Sequence, residues 1–146
     1  MRIAVFPGQG SQSPGFLTPW LESDGAADRL AQYSEWAGVD LVAAGTEWDA
    51  DQIRDTQVAQ PLIVAASLLS WNALHGREHI GGVAGHSVGE FAAAAAAGVL
   101  SEESALTLVG LRGRAMAEAA GAAETGMGAV IGGGEGATLG PPEGPE

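Results

Sequence analysis

The chain has 146 residues, the size of one ordinary domain, and 46% of them are hydrophobic, so it can bury a core and is not a disordered polypeptide. Six Lys and Arg stand against 18 Asp and Glu, and the resulting net charge of −12 argues against nucleic acid or an anionic membrane as partner. There is no cysteine for a disulfide or a thiolate metal site, no signal-like segment behind Met1 and no apolar stretch of membrane-spanning length, which makes a soluble cytoplasmic protein the default expectation.

Ile3-Ala4-Val5-Phe6 is continuously apolar and reads as a buried strand, ended by the loop Pro7-Gly8-Gln9-Gly10-Ser11-Gln12. Phe16-Leu17 and Trp20-Leu21 suggest a short helix, and Ala26 to Trp36 a longer one with Leu30, Tyr33 and Ala37 near helical spacing. Val39 to Asp55 reads as loop with a helical turn. Pro61 to Leu74 predicts a helix with proline at its first position and almost no polar face, hence a buried one. Gly76 ends it, and a polar connection leads to a small-residue strand, Ile80 to Ala84. After the alanine block Ala92 to Ala97, Gly98 supplies a stop. Ser101 then caps a helix that carries Glu102 and Glu103 in its first turn, as the macrodipole favours, and runs to about Ala120. Met127 to Ile131 predicts a further strand, and the last residues form an acidic, Gly/Pro-rich, low-complexity tail. Strands alternating with helices predict an α/β fold with parallel strands.

The chemistry concentrates at Gly85-His86-Ser87-Val88-Gly89-Glu90. A serine at a sharp strand-to-helix corner, with glycine two places to either side, is the nucleophile-elbow pattern. Such a corner exposes the hydroxyl of Ser87 and aims the amide of Val88 at a developing oxyanion. Gly-x-Ser-x-Gly also arises by chance in a glycine-rich chain; the strand before it and the small-residue helix after it favour the functional reading. A serine nucleophile needs a base, usually histidine. His86 is the immediate neighbour of Ser87 and leaves the corner in another direction. His75 and His79 precede the strand, and at about 3.3 Å per extended residue His79 lies roughly 20 Å from Ser87. None is a convincing base.

Ala105, Leu108, Val109, Arg112 and Met116 recur at helical spacing, which predicts Arg112 on the buried stripe of its helix. There an arginine must meet an anion or snorkel to water, and the pattern leaves a structural salt bridge and a substrate carboxylate site equally open. Arg114, on the other side, is expected to pair with Glu118 at the surface. Gly8-Gln9-Gly10 does not continue as a dinucleotide fingerprint, because Ser13 stands where the third glycine belongs, and no P-loop lysine follows. A Gly-Gln-Gly turn at the carboxyl end of a strand can instead present a backbone amide to a neighbouring site. No metal-binding constellation is visible.

Taken together, Pro7-Gly8-Gln9-Gly10-Ser11-Gln12, Gln60-Pro61, Gly85 to Glu90 and Leu111-Arg112-Gly113 resemble the malonyl-CoA:acyl carrier protein transacylase family, which includes the acyltransferase domains of polyketide synthases. The resemblance runs from Met1 to about Gly132, with the four motifs in the family's order. It implies an [acyl-carrier-protein] S-malonyltransferase of fatty acid or polyketide biosynthesis, with malonyl-CoA and acyl carrier protein as partners. By the same resemblance Ser87 is the acylated nucleophile, Gln9 and Val88 match the backbone amides of the oxyanion hole, and Arg112 matches the holder of the malonyl carboxylate. Gln60 and, as a neighbour, His86 are pocket residues. No cofactor is implied beyond the phosphopantetheine that acyl carrier protein carries. Val88, an aliphatic residue after the serine, fits members that favour malonyl over methylmalonyl groups.

The resemblance also implies a hydrolase-like parallel sheet over residues 1–125, the first strand of a ferredoxin-like subdomain at 126–132, and a tail at 133–146. The family's catalytic histidine comes from a region beyond residue 146, so the chain is expected to be an N-terminal portion, inactive or severely impaired without a missing C-terminal half. Two other readings compete: an α/β-hydrolase fragment of esterase or lipase type, and a catalytically inactive remnant or interaction module.

Overall fold

The computed structural model describes residues 1–122. The strand expected from Met127 to Ile131, and with it the segments 126–132 and 133–146, lies outside the described residues. Two strands, β1 (Arg2–Phe6) and β2 (Ile80–Gly85), pair in parallel with Ile3 opposite Gly82 and Phe6 opposite Gly85. Parallel strands need a long crossover. Here it carries α1 (Ala26–Ala37), α2 (Leu41–Thr46) and α3 (Thr56–Ala73), while α4 (Gly89–Ala96) and α5 (Glu102–Gly121) follow β2. The α/β expectation with a parallel sheet is met in this region. Among the described residues no helix is long and apolar enough to cross a membrane.

The central element is α3. Side chains from Val58 to Leu69 are buried almost without interruption, and α4 and α5 both pack on it. Leu62, Ile63 and Leu68 are fully enclosed, and each contributes about 1.5–3 kcal/mol by leaving water. The helix starts five residues before the expected proline start. Asp55 caps it by accepting from the Gln57 amide at 3.0 Å, and Pro61 falls inside, where the α-helical bond to the Gln57 carbonyl cannot form. The bare stretch of backbone lies against α5. A side chain at Gly113 would press on Gln57 and Thr56, and one at Gly110 would collide with the Ala37 carbonyl at the end of α1.

Three further expectations are corrected. The β1 run is not a buried strand throughout: Ala4 and Phe6 face the helices, whereas Ile3 and Val5 are 54% and 73% exposed. Successive strand side chains point to opposite faces, and within the described residues the helices cover one of them. The segment Val39 to Asp55 holds more helix than expected. Asp40 caps α2 through the Ala43 amide at 3.0 Å, and a 3-10 turn spans Gln52–Arg54. The buried stripe of α5 runs through Ala105, Leu106, Val109, Gly110 and Gly113, so Leu108 and Met116 are 43% and 42% exposed and Arg112 sits on the flank. Two of the five buried positions are glycines, which carry no apolar signal. The remaining ends follow expectation: Ser101 caps α5 through the Ser104 amide at 3.0 Å, and Gly98, with φ of 74°, turns the chain after α4.

Candidate active site

The corner between β2 and α4 is strained at one residue. Ser87 has φ of 52°, and it is the sole non-glycine residue with positive φ among those described. A left-handed serine costs energy that only surrounding contacts can impose. The contacts here are close. A Cβ on Gly85 would run into the backbone of Gly89 and Glu90, and a Cβ on Gly89 would run into the carbonyls of Phe6 and Pro7. Glycine at both places lets α4 start directly against β1 and β2 and leaves Ser87 exposed at the tip. The side chain of Val88 points the other way and is fully buried in the core.

The loop after β1 lies against this corner. The His86 amide donates to the Phe6 carbonyl at 3.0 Å, and a Cβ on Gly8 would strike the His86 ring. The His86 ring thus lies over Gly8. The backbone amides of Gln9 and Val88 have no acceptor among the described residues, and both belong to segments that flank Ser87. The Gln9 side chain donates to the Thr56 hydroxyl at 3.2 Å, at the first turn of α3.

One turn further along α3 is Gln60, a buried amide at 1% exposure. Its carbonyl oxygen accepts from the Arg112 guanidinium, and its amide nitrogen donates to the Met116 sulfur at 3.2 Å. The orientation follows from chemistry: guanidinium has no acceptor, so the amide must turn its oxygen to Arg112. Among the described residues Arg112 has no carboxylate partner. A partly buried guanidinium held by one neutral amide keeps most of its five donors for something else. The structural salt bridge, one of the two readings the sequence left open, is therefore not made among these residues.

Arg114 is corrected. It donates to the Ala37 carbonyl at 3.0 Å instead of pairing with Glu118, because a helix C-terminus offers unpaired carbonyls to a nearby cation. His75 and His79 are exposed beyond the far end of β2, and His79 lies 3.3 Å from the Glu78 carboxylate. The structure brings Gln9, His86, Ser87 and Val88 to one corner and joins Gln60 to Arg112. Neither His75 nor His79 reaches that corner. Sequence reasoning missed Gln12 and Thr56, both bonded within this region; the Thr56 signal was a Thr just after Asp55, a helix-start pattern that the later proline obscured.

Residues 3–135 match the family described as acyl transferase domain. The malonyl CoA-acyl carrier protein transacylase of Mycobacterium tuberculosis is 50% identical over 139 residues, which cover 92% of this chain and 46% of that protein. The crystal structure of MCAT from the same organism superposes with a TM-score of 0.89 at 49% identity, over 95% of this chain and 48% of that one. A malonyl-transacylase in complex with its type II PKS acyl-carrier protein aligns at 35% identity with a TM-score of 0.71, over 82% of this chain and 40% of that one. The chain thus spans about half the length of the relatives it matches. With the elbow, the Gln9 loop and the Gln60–Arg112 pair in place, and the family match running over most of its length, the chain belongs to the acyl transferase domain family.

Proposed function

We propose that the chain is the nucleophile-bearing portion of a malonyl-CoA:acyl carrier protein transacylase that works through a seryl ester. The observation that carries this reading is the presence in one chain of a left-handed Ser87 and of a guanidinium, Arg112, whose described partner is a neutral amide. One is the geometry of an acylated serine; the other suits an acyl group with a free carboxylate.

In the first half-reaction the Ser87 oxygen attacks the thioester carbonyl of malonyl-CoA and its proton passes to a base. The Gln9 and Val88 amides donate to the oxyanion of the tetrahedral intermediate. The C–S bond then breaks, the coenzyme A sulfur takes a proton, and malonyl remains as an ester on Ser87. In the second half the phosphopantetheine thiol of acyl carrier protein attacks that ester, and the serine recovers its proton. Arg112 holds the malonyl carboxylate throughout. An acetyl group leaves that cation without its anion, which disfavours acetyl-CoA by about a hundredfold. In this reading none of the chain's three histidines, His75, His79 and His86, serves as the base, which is a group other than these three. A hydrolase-like large subdomain, fatty acid or polyketide biosynthesis and a cytoplasmic setting belong to the same reading.

The test compares the 146-residue chain with a chimaera in which residues 1–122 continue into the C-terminal half of the M. tuberculosis relative. Radiolabelled malonyl-CoA should label Ser87 in the chimaera and pass to acyl carrier protein, with the chain alone severely impaired. Full transfer by the chain alone contradicts that impairment. Ester hydrolysis by the chimaera with no transfer points instead to an esterase.

A further inference from the structure

The loop that carries Gln9 is held by more than its own turn. Gln12 bridges outward: its side-chain oxygen accepts from the Gly10 amide at 2.9 Å, and its nitrogen donates to the Ile53 carbonyl at 3.1 Å. On the other side of the loop, the Gln9 side chain reaches the Thr56 hydroxyl at 3.2 Å. Ser11 closes the turn by donating to the Gly8 carbonyl at 3.0 Å. Ile53 and Thr56 flank the cap of α3, a helix fixed by its buried length. The loop is therefore tied at two points to one rigid platform: Gln12 grips the N–H of the Gln9–Gly10 peptide, and Thr56 grips the Gln9 side chain.

We propose that Gln12 and Thr56 are positioning residues that set the angle at which the Gln9 amide faces the reacting carbonyl. The proposal rests on the functional reading above. A loop containing Gly8 and Gly10, with Gly10 at φ of 104°, samples many backbone states when untethered. Oxyanion stabilisation depends on donors fixed before the charge appears, and an error near 1 Å is enough to forfeit much of it. Gln12 supplies both a donor and an acceptor, so it orients the Gly10 peptide against the Ile53 carbonyl. Thr56 fixes the rotamer of Gln9 and with it the preceding backbone. The same two turns of α3 hold Gln60 and through it Arg112, so one element sets both halves of the site.

Two measurements test this. Hydrogen exchange on the 146-residue chain should show faster exchange at the Gly10 amide, which is bonded to Gln12, in Gln12→Met and Thr56→Val, while Thr56→Ser, which keeps the hydroxyl, behaves as the parent. In the chimaera, Gln12→Met and Thr56→Val should each lower kcat about tenfold or more. The KM for malonyl-CoA and the malonyl-to-acetyl ratio should stay unchanged, and Thr56→Ser should restore the rate. Loss of the malonyl preference together with the rate, or no loss of kcat, overturns the positioning role. Unaltered exchange in the loop overturns it as well. Absence of any malonyl transfer in the parent chimaera strikes the functional reading itself, an outcome the variants cannot mimic.

Discussion

Arg29 and Arg112 both meet packed helices, and their surroundings differ in kind. Arg29 donates to the Glu102 carboxylate at 3.2 Å. That carboxylate also accepts from the Tyr33 hydroxyl at 2.6 Å and from Asn72 at 2.7 Å, and Arg77 supports Asn72 at 3.2 Å. Both oxygens of Glu102 are bonded, to groups on α1 and α3, so the cluster ties the start of α5 to those helices. Arg112 has a single neutral partner and no carboxylate among the described residues. A cation set against a carboxylate holds helices together, whereas one set against a neutral amide alone is left available to an anionic ligand. The same contrast separates Glu102, bonded on both oxygens, from Ser87, whose hydroxyl is exposed on a strained corner.

The comparison can be broken at its functional end first. Arg112→Ala in the chimaera should lower the malonyl-to-acetyl preference in kcat/KM by about a hundredfold, chiefly through loss of malonyl turnover. A ratio equal to the parent's would remove the carboxylate-holding role. Next is the strained corner. Gly89→Ala drives a methyl into the carbonyls of Phe6 and Pro7, and it should cost about 2–3 kcal/mol, read from denaturant unfolding. An unchanged midpoint would mean that the close approach of β1 to α4 is not needed.

The smaller effects belong to the Glu102 cluster. Tyr33→Phe removes the shortest bond to Glu102 and should cost about 1–2 kcal/mol near neutral pH, with the malonyl-to-acetyl ratio untouched. Burial, and then the adjacent Glu102 carboxylate, raise the Tyr33 pKa above its ordinary 10.0. The folded state therefore holds the phenolic proton more tightly than the unfolded one. The stability it confers is present in full below the unfolded value and is lost as pH rises through the folded value. The parent chain should lose stability steeply above about pH 10, and Tyr33→Phe should flatten that decline. Parallel pH profiles for the two proteins would contradict this assignment.

Much of this was legible in the sequence because it is local. Gly85, Ser87 and Gly89 define a corner through their own backbone demands, and Ser101 announces the start of α5. What stayed hidden depends on pairs far apart in the chain. Nothing near Gln60 in sequence says that it meets Arg112, and nothing near Glu102 says that it meets Tyr33. The stripe on α5 was misplaced because Gly110 and Gly113 pack as closely as any leucine while showing no hydrophobic signal. The start of α3 was missed because a proline that can begin a helix here lies inside one. The exposure of Ile3 and Val5 turns on which face the helices cover, a tertiary fact that an apolar run cannot report.

The central claim is that the strained serine carries the acyl group and Arg112 selects it. It is tested most directly by peptide mapping of the chimaera quenched after brief exposure to radiolabelled malonyl-CoA. The label should be found on the peptide containing Ser87, be absent in Ser87→Ala, and be discharged by acyl carrier protein. In Arg112→Ala it should fall to the level obtained with acetyl-CoA. Stable label on any other residue, or equal malonyl labelling in Arg112→Ala, would contradict the account.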